Sequence, residues 1–460
     1  MIYNFLTKFN NVIISDEKNI TSQKLLNDVS ILKNSLLKIS ESYRNKRVYI
    51  DIKERYLFII LFFTLMDLKA KIVLLPIEIK NEDYYFPDIF YISDNKKSDF
   101  GLYLNQELTV ESGSLFNDTN VIEDNDTFLY LYTSGSTGKA KLIPKSYENI
   151  LTELTELKRI FNVTENDIFY FTPPLYHIYG ILFGLFLPIY CNSKLIIDYH
   201  FTPDTISLFV KNHKITFFVS IPSYYKMFCD LGLIDDFNNT KRLASSSAPL
   251  PLQVSQNFYE KSIEITEIYG STETGGIAHR VSAKDLEWHL FSYIKIIDSD
   301  MLIENSENKN FKELVIDSKA VSNVYDKKYG YNTGDIVEFF DNNKFALVGR
   351  NTRFVKISGK RVNLKYIEKK FIEYIYEITN IKITEDSVYA GENNEKIFIF
   401  YEIDLKKDTN TMKHELKNHL PGYAIPRYYF CQKIPRNEMG KINKVKIEEI
   451  VAKLSRDISR

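Results

Sequence analysis

The residues of this chain with the most evident chemistry form one short run of hydroxyls, glycines and lysines. It reads Thr133-Ser134-Gly135-Ser136-Thr137-Gly138-Lys139-Ala140-Lys141. The apolar stretch from Phe128 to Tyr132 precedes it and predicts a strand, and a helical pattern begins at about Tyr147. Glycines let a backbone approach a ligand closely, while hydroxyls, amides and lysines give hydrogen bonds and positive charge to phosphate groups. The run therefore predicts a polyphosphate-binding loop between a strand and a helix.

Two common motifs of similar composition do not fit this run. A Walker loop requires Gly, four residues and then Gly-Lys-Ser/Thr, but Thr133 occupies its first glycine position and Ala140 its hydroxyl position. A nucleophile elbow requires Gly-x-Ser-x-Gly, and Gly135 and Gly138 are one residue too close together. Taken alone, the run leaves one alternative open, a polar turn without a ligand.

Two later turns each carry a single carboxylate. The first, Tyr269-Gly270-Ser271-Thr272-Glu273-Thr274-Gly275, follows a strand-like stretch. A carboxylate such as Glu273 can bind Mg²⁺ while neighbouring hydroxyls touch phosphate, and a purely structural turn is an equally good alternative. The second turn, Thr333-Gly334-Asp335, precedes an apolar strand. Its Asp335 can accept both hydroxyls of a ribose, although most Asp residues at such positions cap turns.

Basic residues and a glycine complete the set in the last quarter of the chain. They are Arg350, Lys356, Gly359 and Lys441. Surface lysines are usually only solvated, so these residues gain meaning from their order behind the loop and the two turns.

In that order the segments resemble those of the adenylate-forming enzymes, which include acyl- and aryl-CoA synthetases, adenylation domains of peptide synthetases and firefly luciferase. The resemblance runs from Thr133 to Lys441 and is specific, because six independent short motifs rarely fall in sequence by chance. The first hundred residues match in general character only. The segment Ser246-Ser247-Ala248-Pro249-Leu250 stands where the family usually has Gly-Ala-Ala-Pro-Leu beside adenine, so Ser246 replaces a glycine.

The resemblance implies a set of residues that bind nucleotide, phosphate and acceptor. They are Thr133, Ser134, Gly135, Ser136, Thr137, Gly138, Lys139, Lys141, Ser247, Ala248, Tyr269, Gly270, Asp335, Arg350, Lys356 and Gly359. The loop would hold the β- and γ-phosphates of ATP. Tyr269 would stack on adenine, and Asp335 with Arg350 would hold the ribose hydroxyls.

The resemblance also implies catalytic and metal-binding roles. Thr272 would touch the α-phosphate, and Glu273 with Thr133 would bind Mg²⁺. Lys441 would bridge the acid and the α-phosphate while the carboxylate attacks phosphorus and expels pyrophosphate. Two anions approach each other in that step, so an ammonium and a metal ion suit it, and little proton transfer is needed.

The small C-terminal domain of the family rotates after adenylation and presents its opposite face for thioester formation. Lys356 and Gly359 match positions near the pantetheine tunnel on that second face. Thr352 is a departure, since the position two after Arg350 is usually Asp or Lys. The acceptor thiol stays open between CoA and the phosphopantetheine arm of an acyl carrier protein.

The acid is predicted from Pro173-Pro174-Leu175-Tyr176-His177-Ile178-Tyr179-Gly180, which resembles a Pro-x-x-His-x-x-Gly segment of acyl- and aryl-CoA synthetases. His177 would line or gate the carboxylate pocket, or it is a packed histidine in an aromatic cluster. Amino-acid-activating relatives usually place an Asp near here, and the sequence from Phe171 to Gly184 has none. A fatty or aromatic acid is therefore preferred. Trp288 borders the pocket or packs in the core. An amino-acid-adenylating enzyme and an inactive nucleotide-binding protein are the alternatives.

The whole chain fits a globular enzyme that does not act on nucleic acid. It has 460 residues, 44% hydrophobic and 26% charged, with a formal net charge of −1. Cys191, Cys229 and Cys431 are typical of reduced thiols, which favours a cytoplasmic location. The longest apolar run, Leu57 to Met66, is half a membrane span and predicts a buried helix.

Alternating strand and helix patterns predict an α/β fold with a parallel or mixed sheet, followed by a β-rich portion between about residues 290 and 348. We expect an N-terminal AMP-binding domain over residues 1–349 and a small, mobile α+β domain over residues 350–460. The second domain would contain a helix from about Leu364 to Ile378 and strands at Asp386 to Tyr389 and Lys396 to Ile403.

Overall fold

The structure is a computed structural model that describes residues 9–15, 18–75, 90–95, 102–112, 127–133, 141–200, 202–297, 302–303, 311–322, 330–341, 343–350, 354–357, 360–394, 396–437, 440 and 442–457. Within these ranges the strands, numbered in chain order, are β1 Val12–Ser15, β2 Lys18–Thr21, β3 Arg47–Asp51, β4 Lys71–Leu74, β5 Phe90–Ser93, β6 Leu102–Leu104, β7 Val110–Ser112, β8 Thr127–Thr133, β9 Lys141–Ser146, β10 Ile168–Phe171, β11 Lys194–Ile196, β12 Phe217–Ser220, β13 Arg242–Ser245, β14 Ile265–Ser271, β15 Gly275–Arg280, β16 Trp288–Leu290, β17 Lys295–Ile296, β18 Leu302–Ile303, β19 Phe311–Asp317, β20 Tyr331–Asp341, β21 Lys344–Arg350, β22 Phe354–Ile357, β23 Lys360–Asn363, β24 Val388–Asn393, β25 Lys396–Tyr401 and β26 Tyr428–Cys431.

The α-helices of the same ranges are α1 Ser22–Leu37, α2 Arg55–Asp67, α3 Tyr147–Ile160, α4 Ile178–Ile181, α5 Leu187–Tyr190, α6 Pro203–Asn212, α7 Pro222–Asp230, α8 Leu252–Glu260, α9 Leu364–Thr379, α10 Thr409–Glu415 and α11 Lys444–Asp457. A π-helical segment, Leu182–Phe186, joins α4 to α5. None of the described helices is long and apolar enough to cross a membrane.

Two large sheets form the first three quarters of the chain. One has the strand order β7-β6-β5-β3-β4-β8-β9, and the other continues from β2 and β1 through β11-β10-β12-β13-β14 into β15, β16, β21, β20, β19 and β17. The five strands β11, β10, β12, β13 and β14 pair in parallel with one another, so their carboxyl ends lie along one edge. In parallel α/β sheets this edge is where ligands bind.

The main hydrophobic core lies between the two sheets. It is filled by α1, by α2, whose residues from Leu57 to Met66 are all buried, and by the apolar face of α3. A second core on the other face of the parallel strands packs α6, α7 and α8. These two cores fix the parallel strands, and therefore the polar loops that follow them.

The predicted α/β class is confirmed. The β-rich portion is also as expected, since β16 to β21 pair antiparallel with one another. One element differs: the residues predicted as a strand from Asp386 begin as a single 3₁₀ turn, Glu385–Ser387, and β24 starts at Val388. The backbone N–H of Ser387 donates to the carbonyl of Thr384, which closes that turn.

The residues after 354 have hydrophobic clusters of their own. One joins α9 to β24 and β25 and contains Ile357, Phe371 and Leu416, and the other lies between β25, β26 and α11. These clusters support a separate small domain, whose boundary at residue 349 stays a prediction.

Candidate active site

The predicted phosphate loop connects two paired strands. Thr133, the last residue of β8, lies directly opposite Lys141, the first residue of β9. The hydroxyl of Thr133 is buried and has no hydrogen-bond partner among the described residues, whereas Lys141 is exposed. The loop residues between them, Ser134, Gly135, Ser136, Thr137, Gly138, Lys139 and Ala140, lie outside the described residues.

Tyr269 and Asp335 come from different strands and meet at one point. The Tyr269 hydroxyl donates a hydrogen bond to the Asp335 carboxylate, which is 5% exposed. Asp335 lies opposite Arg350 in the antiparallel register of β20 and β21. The structure therefore brings together three of the predicted adenosine-binding positions, although the side chain of Arg350 is not among those described.

Trp288 packs behind Tyr269 rather than at the surface. The centroid of its ring is 5.5 Å from that of Tyr269, and the Arg280 guanidinium lies 4.3 Å from the centroid of the indole. It belongs to the hydrophobic cluster of the β-rich portion, together with Phe345 and Val337. Core packing, one of the two alternatives for this tryptophan, is what the structure shows.

The residues from Ser271 to Gly276, called here the Glu273 turn, have a tightly fixed backbone. The Thr274 hydroxyl accepts the backbone N–H of Ser271 at 3.0 Å and donates to the carbonyl of Gly275 at 2.8 Å. A Cβ atom on Gly270 would lie 2.1 Å from that same carbonyl oxygen, so only glycine fits before the turn. The side chains of Thr272 and Glu273 are half-buried, and Thr274 is fully buried.

The predicted adenine loop follows β13. The hydroxyl of Ser246 donates to the carbonyl of Ile268 at 2.9 Å, which ties this loop to β14 just before Tyr269. The next residue, Ser247, has a φ of +81°, a left-handed conformation that is rare for a residue with a side chain. Ser247 and Ala248 are half-buried. The strained position of the loop is thus Ser247, one residue after the serine that replaces the usual glycine of the family.

The segment predicted to hold the acid turns sharply after β10. His177 is half-buried at the start of α4, and its ring lies 4.7 Å from that of Tyr176. A Cβ atom on Gly180 would lie 1.8 Å from the carbonyl oxygen of Pro174. The hydroxyl of Tyr179 donates to the carbonyls of Ser220 and Ala244, at the carboxyl ends of β12 and β13. This segment is therefore fixed against the edge at which the predicted site lies.

In the C-terminal part of the chain, Gly440, the residue before Lys441, lies close to α7. Arg436 and Ile442 form an isolated antiparallel bridge, and Gly440 between them has a φ of +71°. A Cβ atom on Gly440 would lie 3.5 Å from the hydroxyl oxygen of Ser223, at the start of α7. A small cleft lies here, lined by Pro222, Ser223, Ala248, Pro249, Pro251, Asp386, Arg436 and Gly440. Lys441 and Gly359 are outside the described residues, and the side chain of Lys356 in β22 is not described.

A row of buried polar groups beneath the Glu273 turn was not predicted from the sequence. Lys145, on β9, is completely buried, and burial lowers the pKa of its ammonium group to about 8. The side chains of Asn149, Glu153 and Glu156 lie along one face of α3 and are also buried. Burial raises the pKa of Glu153, whose carboxylate accepts the backbone N–H of Gly276. Asn149, Glu153 and Glu156 are spaced by four and three residues, which places them on one polar face of a helix. In a sequence, such a polar face is normally interpreted as facing solvent.

Glu156 is the most strongly hydrogen-bonded member of this row. Its carboxylate accepts the backbone N–H and the hydroxyl of Ser292, both at 2.8 Å, and two hydrogen bonds from Arg159. Burial alone would raise the pKa of Glu156, but these hydrogen bonds outweigh it and lower the pKa to about 2. Glu156 is therefore an ionised anchor for the segment after β16.

The donor set fits a nucleotide with its metal ion. No group of three or more His, Cys, Asp and Glu side chains in the described part of the chain could hold a metal ion by itself. A single half-buried carboxylate, Glu273, suits Mg²⁺, which keeps several water ligands and takes others from phosphate. The unpartnered Thr133 hydroxyl and the buried Asp335 carboxylate have the chemistry that phosphate and ribose groups require.

Comparisons with known proteins identify the family and the fold. The family model described as AMP-binding enzyme matches residues 61–325, more than half of the chain. The 2-succinylbenzoate–CoA ligase of Staphylococcus epidermidis is 24% identical over 357 residues, which cover 72% of this chain and 74% of that protein. Gramicidin S synthase 2 of Brevibacillus brevis is 24% identical over 382 residues, covering 75% of this chain but 8% of the synthase.

Solved structures show the same fold. ATP-bound MatB from Rhodopseudomonas palustris superposes with a TM-score of 0.80 at 17% identity, over 98% of this chain and 99% of that chain. The O-succinylbenzoate coenzyme A synthetase of Bacillus subtilis, in complex with ATP and a magnesium ion, gives 0.76 at 17% identity, over 95% and 98% of the two chains. The family model covers both the β8–β9 connection and the Glu273 turn, and the protein belongs to the AMP-binding enzyme family of adenylate-forming ligases.

Proposed function

We propose that this protein activates a carboxylic acid with ATP and then transfers the acyl group to a pantetheine thiol. The observation that carries the proposal is the meeting of Tyr269 and Asp335, opposite Arg350, next to the Glu273 turn. This arrangement supports one site that holds an adenosine and, beside it, the phosphates and metal ion of ATP.

In the first step, an oxygen of the acid would attack the α-phosphorus while the bond to the β-phosphate breaks and pyrophosphate leaves. Tyr269 and Asp335 would hold the adenosine, and Thr272 would contact the α-phosphate. Mg²⁺, when bound through Glu273, supplies positive charge to the phosphates. Lys441 would provide the second positive charge between the two anions. The nearness of Gly440 to Ser223 supports this role, because it puts the neighbouring backbone beside α7.

In the second step, the sulfur of the thiol would attack the acyl carbonyl, AMP would leave, and the thiol proton would be released. Lys356 and Gly359 are the residues we propose along the path of the pantetheine. CoA is the acceptor we favour, because the names of the CoA ligases among the relatives specify it, and a carrier-protein arm is the alternative.

For the acid, we propose a fatty or aromatic carboxylate. The sequence from Phe171 to Gly184 contains no Asp or Glu to pair with the ammonium of an amino acid. A buried ammonium without a partner is unfavourable. The half-buried His177 at the start of α4 is the polar residue that we assign to the carboxylate end of this pocket.

The proposal is tested by pyrophosphate release from ATP with pooled fatty, aromatic and amino acids, first without a thiol and then with CoA or carrier protein. We expect release with one of the first two pools and turnover with CoA. Lys441→Ala should lower the rate about 10²–10³-fold, as expected for one electrostatic contact to a transition state. The matched control is Lys446→Ala, an exposed lysine five residues further on.

Each other result has a definite meaning. Release with the amino-acid pool alone would replace the acid class by an amino acid. A folded protein that binds ATP but releases pyrophosphate with no pool would contradict the ligase function. Equal rates for the two lysine variants would remove Lys441 from the mechanism.

A further inference from the structure

Two buried charges under the Glu273 turn have no role in the reaction described so far. Lys145 lies on β9 and Glu153 on α3, the two elements that directly follow the predicted phosphate loop. Lys145 is 0% exposed and Glu153 is 4% exposed. A buried charge is costly unless it has partners, so the contacts of these two side chains indicate what they are for.

Lys145 holds the middle of the turn, at Glu273. Its ammonium donates to the carbonyl oxygen of Glu273 at 3.3 Å and to that of Ala320 at 3.2 Å. The backbone N–H of Ser322 donates to the same Glu273 carbonyl at 2.8 Å, and the Ser322 hydroxyl donates to Pro144 on β9. The backbone of the proposed metal ligand is thus attached to β9 both directly and through Ser322.

Glu153 holds the end of the turn. Its carboxylate accepts the backbone N–H of Gly276 at 2.8 Å, and its other oxygen lies 2.7 Å from the position that a Cβ atom on Gly275 would occupy. The Glu153 carboxylate can approach the backbone this closely only because residue 275 is a glycine and has no Cβ atom. Hydrogen bonds to ionised groups are about twice as strong as those between neutral groups.

The two charged side chains bind opposite kinds of backbone group in the turn, one as a hydrogen-bond donor and the other as an acceptor. An ammonium binds a carbonyl at residue 273, and a carboxylate binds an N–H three residues later. They also lie within electrostatic range of each other, which stabilises both in the interior. Two buried charges of this kind are stable only when both are present, since removing one leaves the charge of the other uncompensated in the interior.

We propose that Lys145 and Glu153 are positioning residues that fix the Glu273 turn, at its middle and at its end, to β9 and α3, so that the metal-binding carboxylate keeps a constant place relative to the β8–β9 hairpin. The inference rests on the proposed function, because that function makes Glu273 the metal ligand. Lys145 and Glu153 themselves would touch neither the nucleotide nor the metal ion.

The test uses the full chain and measures binding as well as activity. Calorimetric titration gives the affinity for ATP with EDTA present and the Mg²⁺ concentration that half-saturates the protein–ATP complex. We expect Glu153→Gln and Lys145→Met to raise that Mg²⁺ concentration about 10–100-fold, as loss of a residue that supports a metal ligand does. The affinity for ATP in EDTA should change by less than about threefold, because Tyr269 and Asp335 are untouched.

Glu156→Gln is the matched control. Glu156 lies one turn further along α3 and is also 4% exposed, but it holds Ser292 instead of the Glu273 turn. The Glu156→Gln variant should have a lower unfolding temperature than wild type but the same Mg²⁺ requirement. The double variant Lys145→Met/Glu153→Gln leaves no lone buried charge, so we expect it to regain stability relative to Lys145→Met while its Mg²⁺ requirement stays high.

The outcomes separate this inference from the proposed function. If wild-type protein bound no ATP, the proposed function would fail and the inference with it. If it bound ATP and Mg²⁺ normally and Glu153→Gln behaved as Glu156→Gln does, the inference alone would be overturned. If Lys145→Met did not fold, the Mg²⁺ requirement of Glu153→Gln alone would decide whether the inference holds, because this variant keeps an acceptor for the N–H of Gly276.

Discussion

Asp335 is the residue whose surroundings define the proposed adenosine site most sharply. It is buried and accepts a hydrogen bond from Tyr269, and the turn at Thr333 and Gly334 positions it. The Thr333 hydroxyl accepts the backbone N–H of Asp335 at 3.1 Å, and Gly334 has a φ of +73°. The carboxylate is thus held in place before any nucleotide binds.

Asp335→Asn should raise the KM for ATP about 10–100-fold, because hydrogen bonds to a charged group contribute about 1.5–3 kcal/mol each. Wild-type protein should prefer ATP to 2′-deoxy-ATP and 3′-deoxy-ATP, and the variant should lose most of that preference. Steady-state kinetics with the three nucleotides measures both effects. Asp341→Asn, on the exposed end of the same strand, is the control. Unchanged discrimination in Asp335→Asn would show that this carboxylate does not bind ribose.

At this scale, the sequence predicted residues through the order of several short motifs. Tyr269, Glu273 and Asp335 stand in turns of glycines and hydroxyls that could each be structural alone, and their order along the chain indicated a nucleotide site. Lys145 and Glu153 could not be found in this way. Their partners are backbone groups that lie more than a hundred residues away in the chain, and a polar helix face looks the same whether it meets water or a buried loop.

Among the elements, the short helix α4 depends on a close approach of two backbone segments. Gly180 lies against Pro174, and there is no room for a side chain. The same region continues into a π-helical segment, Leu182–Phe186, whose residues are all buried in the main core. Irregular helices of this kind are common at functional sites.

Gly180→Ala should destabilise the protein by about 2–3 kcal/mol, because the added methyl group would overlap a backbone carbonyl that cannot move independently. Gly422→Ala is the matched control, since no atom lies within 4 Å of the corresponding position. Its effect should be within about 1 kcal/mol. Denaturant unfolding compares the two variants, and equal stabilities would contradict the tight contact at Gly180.

The elements themselves were largely predictable, and their pairing was not. The sequence pattern located the start of α3 and both ends of α9 to within a residue or two. The pairing of Asp335 with Arg350 depends on two register shifts between β20 and β21, which no local pattern encodes. The 3₁₀ turn before β24 was missed for a related reason, because a turn stabilised by one backbone hydrogen bond leaves little trace in composition.

For the whole molecule, one half-buried imidazole should contribute to the loss of stability in mild acid. His279 lies on β15, and burial together with the positive charge of nearby His289 and Arg159 lowers its pKa to about 4. The unfolded chain has the ordinary histidine pKa of about 6.5. Below that pH the unfolded state binds a proton that the folded state does not, so stability falls as the pH falls from about 6.5 to 4.

His279→Asn should remove on the order of 1–2 kcal/mol of this pH dependence, since one pKa unit corresponds to about 1.4 kcal/mol and solvent screens the partly exposed ring. The measurement is the free energy of unfolding by urea at several pH values between 7 and 4. The exposed His414 on α10, changed to Asn, should leave the profile unaltered. Parallel profiles for wild type and His279→Asn would refute the assignment.

The packing of Trp288 behind Tyr269 gives the protein an optical property. The chain has only one tryptophan, so its emission comes from a single place, one ring away from where the purine would stack. A base that stacks on Tyr269 changes the polarity around both rings, and indole emission responds to polarity. If the base binds at Tyr269 as proposed, nucleotide occupancy can be followed in the unlabelled protein, in real time and independently of any acid or thiol.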